Sequence, residues 1–600
     1  MGQKAMSAVH ILGVSCYYHD AAAALLRDGV LVAAAEEERF SRVKHDYAFP
    51  KNAIQFCLEQ AGIEGRDLDY VVFFEKPFRK FDRILMTALQ TYPRSYKVFR
   101  ESMISWMIDK LWVGTTLQTE LGVSKEKVLF CDHHLSHAAS AYLCSPFDEA
   151  AILTVDGVGE WVTATYGVGR GNDIRLFKQI QFPHSIGLLY SAFTAFLGFE
   201  VNEGEYKVMG MAPYGVPRYV DKVWKLVQQN KDGSFSLDMD YFCFHHSTDR
   251  TYNQKFVDLF GPPRPVQLQF FTNETGFPKY FGAPPGNYDE LCKLNQHYAD
   301  VAASIQQVTE ELLLSMANNL YRETGLKRLC IAGGVGLNSV ANARILNETP
   351  FEQLFIQPAA GDGGGALGAA LWASSSLLGK PRSFTMQHAY WGRSNSEGEI
   401  GDFLQRNDIP FRHFENEDDL LDHVVERLSQ GKVIGWSQGR FEWGPRALGA
   451  RSILADPRNP DMKDIVNAKI KFREPYRPFA PSVLAECADK YFDLPHAQCH
   501  HPAKYMLYVV PVKESQRAVL PAITHVDGTG RLQTVFRSQS PRYYRLIERF
   551  GQATGVPVLL NTSFNLRGEP IVNTPANAFN TFSKSEMDNL VLENFVIEKS

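Results

Sequence analysis

Two segments of the chain, about 140 residues apart, open with the same pattern of apolar and turn residues. Residues 10–40 read HILGVSCYYHDAAAALLRDGVLVAAAEEERF, and residues 151–180 read AILTVDGVGEWVTATYGVGRGNDIRLFKQI. Each gives an apolar strand, a polar or glycine-rich turn and further strand-forming residues, with Asp28-Gly29 as a hairpin turn in the first. A pattern repeated at this distance indicates a duplicated α/β domain.

A histidine-rich stretch, CDHHLSHAAS, follows the apolar run VLF. His133 and His137 are four residues apart, so on a helix both imidazoles share one face and can bind one metal ion. Asp132 stands where a helix N-cap is expected. Asp156 and Asp362 lie in later glycine-rich turns and complete a set of two His and two Asp, which suits Fe(II), Mn(II) or Zn(II). The alternative is that the histidines have a structural role, because His pairs also cap helices and pack in cores. His134 points off the face that His133 and His137 share.

Residues 291–325 predict one long helix with Gly325 as its C-cap. After this helix, two glycine turns follow predicted strands and open helices. The first contains Gly333, Gly334 and Asn338, and the second, residues 361–365, contains Asp362 and Gly363. Backbone N–H groups at such turns, together with the helix dipole, can bind the phosphates of a nucleotide, although no Walker A motif is present. Lys207, beside another glycine-rich loop, can add a cation. Two tight turns without a ligand are the alternative.

A change of composition near residue 380 divides the chain into a first domain, 1–385, with an irregular insertion at about 215–290, and a second domain, 386–600. Four loops of the second domain carry cations, hydroxyls and amides, which predict a pocket for a small phosphorylated molecule. Isolated surface residues are the alternative. The pocket residues are Arg446, Lys471, Arg477, Arg531, Asn561 and Ser563.

Composition excludes several classes of protein. A chain of 600 residues with 45% hydrophobic residues is globular and too long for one core. A net charge of −5 gives no broad footprint for nucleic acid, and no apolar run approaches the length of a membrane span. Nine cysteines without a CxxC pair indicate a reduced, cytoplasmic protein. His19 and Lys44 supply a base and a cation where a turn can face a cleft, or belong to a solvated strand end.

Taken in order along the chain, the segments YYHDAAAAL, EEERFSRVKHD, DHHLSHAASA, VDGVGE, GEYKVMGMAPYG, GGVGLNS, GDGGGALGAA, WGPRALGARSIL, FREPYRPFAPS, HVDGTGRLQTV and NTSFNLRGEPIV form a specific set. Together they resemble the carbamoyltransferase family that includes the nodulation protein NodU and the TobZ-type antibiotic O-carbamoyltransferases. The resemblance implies an α/β fold with a duplicated actin/Hsp70-like (Kae1-like) ATPase domain and a C-terminal YrdC-like domain.

The resemblance also implies the chemistry. The YrdC-like domain makes carbamoyl-adenylate from carbamoyl phosphate and ATP, with Mg(II) expected on the ATP, and releases phosphate and pyrophosphate. The Kae1-like domain then transfers the carbamoyl group to a hydroxyl of a small acceptor. Residue by residue, the resemblance assigns metal ligands, with iron(II) favoured, to His133, His137, Asp156 and Asp362. It assigns the nucleotide cleft to Lys207, Gly333, Gly334, Asn338 and Gly363, the carbamoyl phosphate and ATP pocket to the six residues named above, and positions near the acceptor to His19 and Lys44.

Two other functions remain open at the level of sequence. Both folds also serve threonylcarbamoyl modification of tRNA, against which the acidic net charge argues mildly. A non-catalytic actin-like ATP-binding protein would not need the cationic second domain. We expect no nucleic acid and no membrane as partner and a homodimer by default. The acceptor, whether a sugar, an aminoglycoside, a polyketide or an alkaloid, is not encoded in residue spacing.

Overall fold

The predicted hairpin near the N-terminus belongs to a five-stranded sheet. The computed structural model describes residues 8–108, 110–471 and 474–599. The strands of this sheet are β1 (His10–Ser15), β2 (Ala22–Arg27), β3 (Val30–Glu36), β4 (Tyr70–Phe73) and β5 (Val128–Phe130). Their order is β3-β2-β1-β4-β5, with β1, β2 and β3 antiparallel and β4 and β5 parallel to β1. The turn at Asp28-Gly29 is confirmed, with φ of 51° and 80°.

The second half of this part repeats the arrangement. Its strands are β6 (Glu149–Val155), β7 (Val162–Arg170), β8 (Asp173–Gln181), the short hairpin β9 (Val227–Gln229) and β10 (Phe235–Leu237), then β11 (Arg328–Ala332) and β12 (Gln353–Ile356). The sheet order β8-β7-β6-β11-β12 matches the first sheet strand for strand, with the same directions. The predicted duplication is therefore confirmed, and the architecture is that of the actin/Hsp70-like ATPase fold.

Helices flank the two sheets and fill the space between them. Two small-residue helices, His133–Tyr142 and Asp362–Trp372, pack against each other between the halves. A Cβ at Gly368 would overlap the carbonyl oxygen of Ser136, so only glycine permits this approach. The other helices of this part are Glu38–Ser41, Lys51–Ala61, Pro77–Thr91, Tyr96–Ile108, Val113–Leu121, Ile186–Phe196, Glu205–Met211, Val220–Trp224, Gln254–Phe260, Tyr288–Thr324 and Ser339–Glu348.

The long helix and the insertion follow the sequence pattern. The helix predicted to end at Gly325 spans Tyr288–Thr324, and Gly325 is its left-handed C-cap with φ of 66°. Residues 215–287 contain only short elements in irregular chain, as expected for an insertion. Among the described residues, no helix is both long and apolar enough to cross a membrane.

The C-terminal part is built on one mixed sheet of eight strands in the order β13-β22-β21-β14-β15-β20-β16-β19. Its strands, with the separate pair β17 and β18, are β13 (Arg412–His413), β14 (Ile434–Ser437), β15 (Arg451–Ala455), β16 (Ala480–Leu484), β17 (Val509–Pro511), β18 (Thr529–Arg531), β19 (Gln533–Val535), β20 (Val558–Ser563), β21 (Asn589–Leu592) and β22 (Phe595–Glu598). Its helices are Glu397–Arg406, Glu417–Ser429, Met462–Val466, Ala488–Tyr491, Glu514–Arg517, Pro541–Thr554 and Pro575–Ser583. The predicted domain boundary at 385/386 falls in the irregular segment 378–396 and stays a prediction.

Candidate active site

The four residues predicted to bind metal come together between the two halves of the first part. His133 and His137 lie on the helix that follows β5. Asp156 directly follows β6, and Asp362 is the first residue of the helix after β12. All four side chains are buried, and their candidate ligand atoms lie within 4.8 Å of one another. In the two repeated halves, strands end facing the same space between the halves. The residues that follow these strands therefore meet there, although they are far apart in the sequence.

Distances within this cluster fit a single metal ion. The Nε2 atoms of His133 and His137 are 3.1 Å apart. His133 Nε2 lies 3.3 Å from Asp156 Oδ2 and 3.6 Å from Asp362 Oδ1, and His137 Nε2 lies 4.0 Å and 3.4 Å from the same two oxygens. Ligands held about 2.0–2.2 Å from one ion are separated by similar distances. The N₂O₂ donor set accepts Fe(II), Mn(II) or Zn(II).

Charges in the cluster also favour a cation. Burial lowers the pKa of His133, but the carboxylates of Asp362 and Asp156 outweigh burial and raise the pKa to about 9. Asp156 Oδ1 accepts the backbone N–H of Gly334 at 2.8 Å, which leaves Oδ2 facing the histidines. Asp362 Oδ2 is buried and has no hydrogen-bond partner among the described residues. A bound metal ion would replace the proton that the carboxylates otherwise attract.

The sequence did not indicate the acidic and basic side chains that surround this cluster. Glu75 Oε2 lies 3.8 Å from His133 Nδ1 and pairs with Lys80 Nζ at 2.7 Å, with both side chains buried. The Lys80 ammonium also lies 4.3 Å from the centre of the Tyr18 ring. The signal available in the sequence for Glu75 was its position as an acidic residue directly after an apolar run. Glu75 follows β4 as Asp156 follows β6. Glu75 can orient the His133 ring.

Two expectations about neighbouring residues had different outcomes. His134 is confirmed as structural, since its Nδ1 faces Thr154 Oγ1 at 2.6 Å and its Nε2 faces the Val162 carbonyl at 2.8 Å. Asp132 does occupy the N-cap position, but its side chain caps nothing. It pairs with Lys76 and Arg79 instead, because two cations compete better for the carboxylate than backbone N–H groups.

His19 and Lys44 lie in two loops that meet beside the metal cluster. His19 Nδ1 faces Asp20 Oδ2 at 2.7 Å, and its Nε2 faces the Asn202 carbonyl at 3.0 Å. Burial lowers the pKa of His19, but the hydrogen bond and charge of Asp20 outweigh it and raise the pKa to about 9. Because both ring nitrogens face acceptors, the ring is an imidazolium here. Lys44 forms an ion pair with Glu203.

The glycine turns adjoin the metal cluster as predicted. Gly333 has a φ of 96° and precedes Gly334, whose N–H holds Asp156. Asn338 caps the helix Ser339–Glu348 by accepting the N–H of Ala341 at 3.1 Å. Gly363 lies in the first turn of the helix that begins at Asp362. Each turn leads into the start of a helix, where the positive end of the helix dipole favours a phosphate.

Lys207 faces the C-terminal part of the chain, and its place in the nucleotide cleft stays a prediction. Its Nζ lies 3.9 Å from Glu474 Oε1, in the C-terminal part. The Arg477 guanidinium lies 4.6 Å from the centre of the Tyr206 ring and 3.6 Å from Glu474 Oε2. Helix Glu205–Met211 therefore connects the two parts of the chain, which no local pattern in the sequence indicated.

Arg446 has the features of an anion-binding residue. Its buried Nε has no hydrogen-bond partner among the described residues. The pKa of Arg446 is lowered to about 10, mainly by burial, which Tyr206 opposes and to which Arg477 adds, so the guanidinium stays charged at neutral pH. The loop that carries Arg446 is shaped by Glu442, whose Oε1 accepts the N–H groups of Leu448, Ala450 and Arg451 at 2.8–3.0 Å.

The remaining predicted pocket residues are less uniform. Asn561 is buried, and its amide donates to the Ala447 carbonyl, Ser482 Oγ and Gln533 Oε1, so it supports the Arg446 loop from behind. Ser563 donates to Asn565 Oδ1 at 2.7 Å. Arg531 ends β18 and is half-buried. The side chain of Lys471 lies outside the described part of the structure.

Comparison with known proteins decides the family. The model for the N-terminus of carbamoyltransferases matches residues 10–371, and the model for their C-terminus matches residues 425–599. This chain belongs to the carbamoyltransferase family. It is therefore an enzyme that transfers carbamoyl groups.

Three similar proteins match between 49% and 98% of this chain. An uncharacterized protein of Synechocystis sp. is 47% identical over 98% of this chain and 97% of its own length. Nodulation protein NolNO of Sinorhizobium fredii is 38% identical over 97% of this chain and 79% of its own length. The 3'-hydroxymethylcephem-O-carbamoyltransferase of Amycolatopsis lactamdurans is 35% identical over 49% of this chain and 54% of its own length.

Proposed function

We propose that this carbamoyltransferase is an ATP-dependent O-carbamoyltransferase that uses carbamoyl phosphate, forms carbamoyl-adenylate and carbamoylates a hydroxyl of a small acceptor. The observation that carries the proposal is the contact between the first part of the chain and the Arg446 side of the second. Tyr206 and Lys207 of the first part lie among Arg477 and Glu474 of the second, beside Arg446. A two-step transfer needs such adjacency, because a reactive intermediate has to pass between sites without meeting water.

The first step requires a pocket for several negative charges. Carbamoyl phosphate and water give carbamate and phosphate; a carbamate oxygen then attacks the α-phosphorus of ATP, and the bond to pyrophosphate breaks. Arg446 and Arg477, with forked donors, would hold the phosphates, while Glu442 fixes the Arg446 loop. We assign Mg(II) to the ATP in this step. Lys471, Arg531 and Ser563 stay candidates for the same pocket.

The second step takes place at the metal cluster. The acceptor oxygen attacks the carbamoyl carbon, the bond from that carbon to the AMP oxygen breaks, and the hydroxyl proton passes to a base. A metal ion held by His133, His137, Asp156 and Asp362, which we take to be Fe(II), would supply Lewis-acid polarisation. Gly333, Gly334, Asn338 and Gly363 would line the cleft for the nucleotide part, where the glycines allow its close approach and the starts of two helices favour its phosphate.

His19 is the base that we propose. Its Nε2 faces the Asn202 carbonyl, so the acceptor hydroxyl has to displace this carbonyl. The imidazolium has to lose one proton before the ring can receive the proton of the acceptor hydroxyl. Lys44 would then steady the acceptor through the loop of Glu203. A hydroxyl as the accepting group is supported by the O-carbamoyltransferase among the relatives. The nine cysteines are free thiols, which supports the cytoplasm as the location.

The experiment that tests the first step leaves out the acceptor. The purified protein is incubated with ATP, Mg(II), carbamoyl phosphate and Fe(II) under anaerobic conditions, and pyrophosphate and carbamoyl-adenylate are measured by mass spectrometry. We expect both products, and their loss in Arg446→Ala. If no pyrophosphate forms with both substrates and metal present, the adenylate route is wrong.

A further inference from the structure

A small cavity lies where the segment after the first part meets the edge strand β19. It is lined by His388, Tyr390, Lys504, Thr534, Gln539 and Ser540, among others. The cavity has room for about one water-sized occupant, so any ligand that fits inside it is small. Neither the metal cluster nor the predicted carbamoyl phosphate residues line it.

One wall of the cavity carries a cation without an anionic partner. The side chain of Lys504 is only 8% exposed. Its ammonium lies 4.9 Å from the centre of the Phe536 ring, and no described residue offers it a carboxylate within ion-pair distance or a hydrogen-bond acceptor. Little of this side chain meets water, and burial lowers the pKa of the ammonium, which a ring face offsets only in part. An anion in the cavity would stabilise the charged form.

Other hydrogen-bond donors line the same space. Thr534 is 2% exposed, and its hydroxyl has no hydrogen-bond partner among the described residues. His388 Nδ1 accepts the N–H of Tyr390 at 3.2 Å, so the proton of the neutral ring is on Nε2. The 14-residue helix Pro541–Thr554 begins here without a side-chain cap at Ser540, and the positive end of its dipole faces this side. No Asp or Glu lines the cavity.

We propose that this cavity binds a small inorganic anion, held by Lys504 and Thr534 at the start of the helix Pro541–Thr554. The chemistry of the lining suits a halide or an oxygen of a small oxyanion. The site also adjoins the Arg446 loop, because the Leu448 carbonyl accepts from Tyr390 Oη at 2.8 Å and from Gln533 Nε2 at 2.7 Å. An occupant that fixes Tyr390 and Thr534 would therefore steady the loop that carries Arg446.

The test compares the full-length wild type with Lys504→Met and with Lys490→Met. Lys490 is a matched control, because it is exposed but its ammonium also lies near a ring, 5.1 Å from that of Tyr491. The thermal midpoint is measured while chloride or phosphate replaces gluconate, an anion too large for the cavity, at constant ionic strength. We expect the midpoint of wild type and Lys490→Met to rise by about 1 °C or more with at least one of these anions.

The same series separates an anion site from a merely structural lysine. In gluconate, Lys504→Met should be about as stable as the wild type, since it removes a partly buried charge that has no anionic partner, and it should not respond to chloride or phosphate. A crystal of the wild type soaked in bromide, and one soaked in phosphate, should show density next to Lys504 Nζ in at least one case. An unchanged anion response in Lys504→Met, or the absence of density with both anions, would overturn the proposal.

Discussion

The Nε2 atoms of His133 and His137 lie 3.1 Å apart in the interior of the protein. Two neutral imidazoles can be this close when one donates a proton to the other or when a cation lies beside both. The carboxylates of Asp156 and Asp362 converge on the same two atoms, which favours the cation. This pair of nitrogens is therefore the geometric centre of the proposed metal site.

Replacing Asp362 by Asn should remove the metal. The substitution deletes one ligand charge but keeps the shape of the side chain, so we expect metal content to fall from about one ion per chain to below about 0.1 by elemental analysis. Asp132→Asn is the control, because this nearby acid pairs with Lys76 and Arg79 instead. Chelation should lower the stability of the wild type, by about 2.7 kcal/mol at 100 times the Kd, but not that of Asp362→Asn. Equal metal content in both variants would contradict the site.

Arg446→Lys tests whether the pocket needs a forked cation. Lysine keeps the charge but cannot form two parallel hydrogen bonds to an oxyanion, so pyrophosphate formation should fall at least about tenfold. The matched change Arg406→Lys, on an exposed helix face, should leave the rate unchanged. Wild-type rates in Arg446→Lys would show that only the charge of this residue matters.

Transfer to the acceptor should depend on the protonation of His19. With a pKa of about 9, the ring is cationic at neutral pH, and a base role requires the neutral form. The single-turnover transfer rate should therefore rise about tenfold per pH unit below this pKa and level off above it. His19→Ala should lower transfer by about 10²–10⁴ and abolish this rise, with adenylate formation unchanged. Full-rate transfer in His19→Ala would exclude the role.

Gly368→Ala should destabilise the fold between the two halves. The added methyl group would overlap the Ser136 carbonyl on the facing helix, and the backbone cannot yield cheaply, so we expect a loss of about 1–3 kcal/mol or more in urea unfolding. Gly286→Ala is the control, because a methyl group at that position would have no neighbouring atom within 4 Å. Equal unfolding midpoints for the two variants would show that the helices can separate without cost.

Local patterns predicted the elements well. The apolar strand runs, the Asp28-Gly29 turn and the C-cap at Gly325 depend on interactions between near neighbours, and the structure confirms each of them. The repeated strand pattern also predicted the duplicated fold, and the spacing of His133 and His137 placed both rings on one helix face. Assigning Asp156 and Asp362 to the same ion required the family resemblance, because their separation in sequence exceeds any local rule.

Other residues were beyond the reach of sequence reasoning. The contact of Lys207 with Glu474 could not be predicted, because the direction of a lysine depends on which domain packs against its helix. Asp132 was expected to cap a helix, yet cations from another helix compete successfully for its carboxylate. Glu75 and Glu442 gave only the weak signal of an acid near a strand, and their partners became identifiable only in three dimensions.

The sequence by itself determined the strands, the helices, the duplication and the family, because these depend on local periodicity and on motifs in a fixed order. The tertiary structure decided which charges face one another: Glu75 toward His133, Lys207 toward Glu474, and Lys504 into a cavity without a carboxylate. The physical reason is range. Backbone conformation is set by neighbours along the chain, whereas the ionisation and binding of a side chain depend on burial and on charges supplied by distant segments.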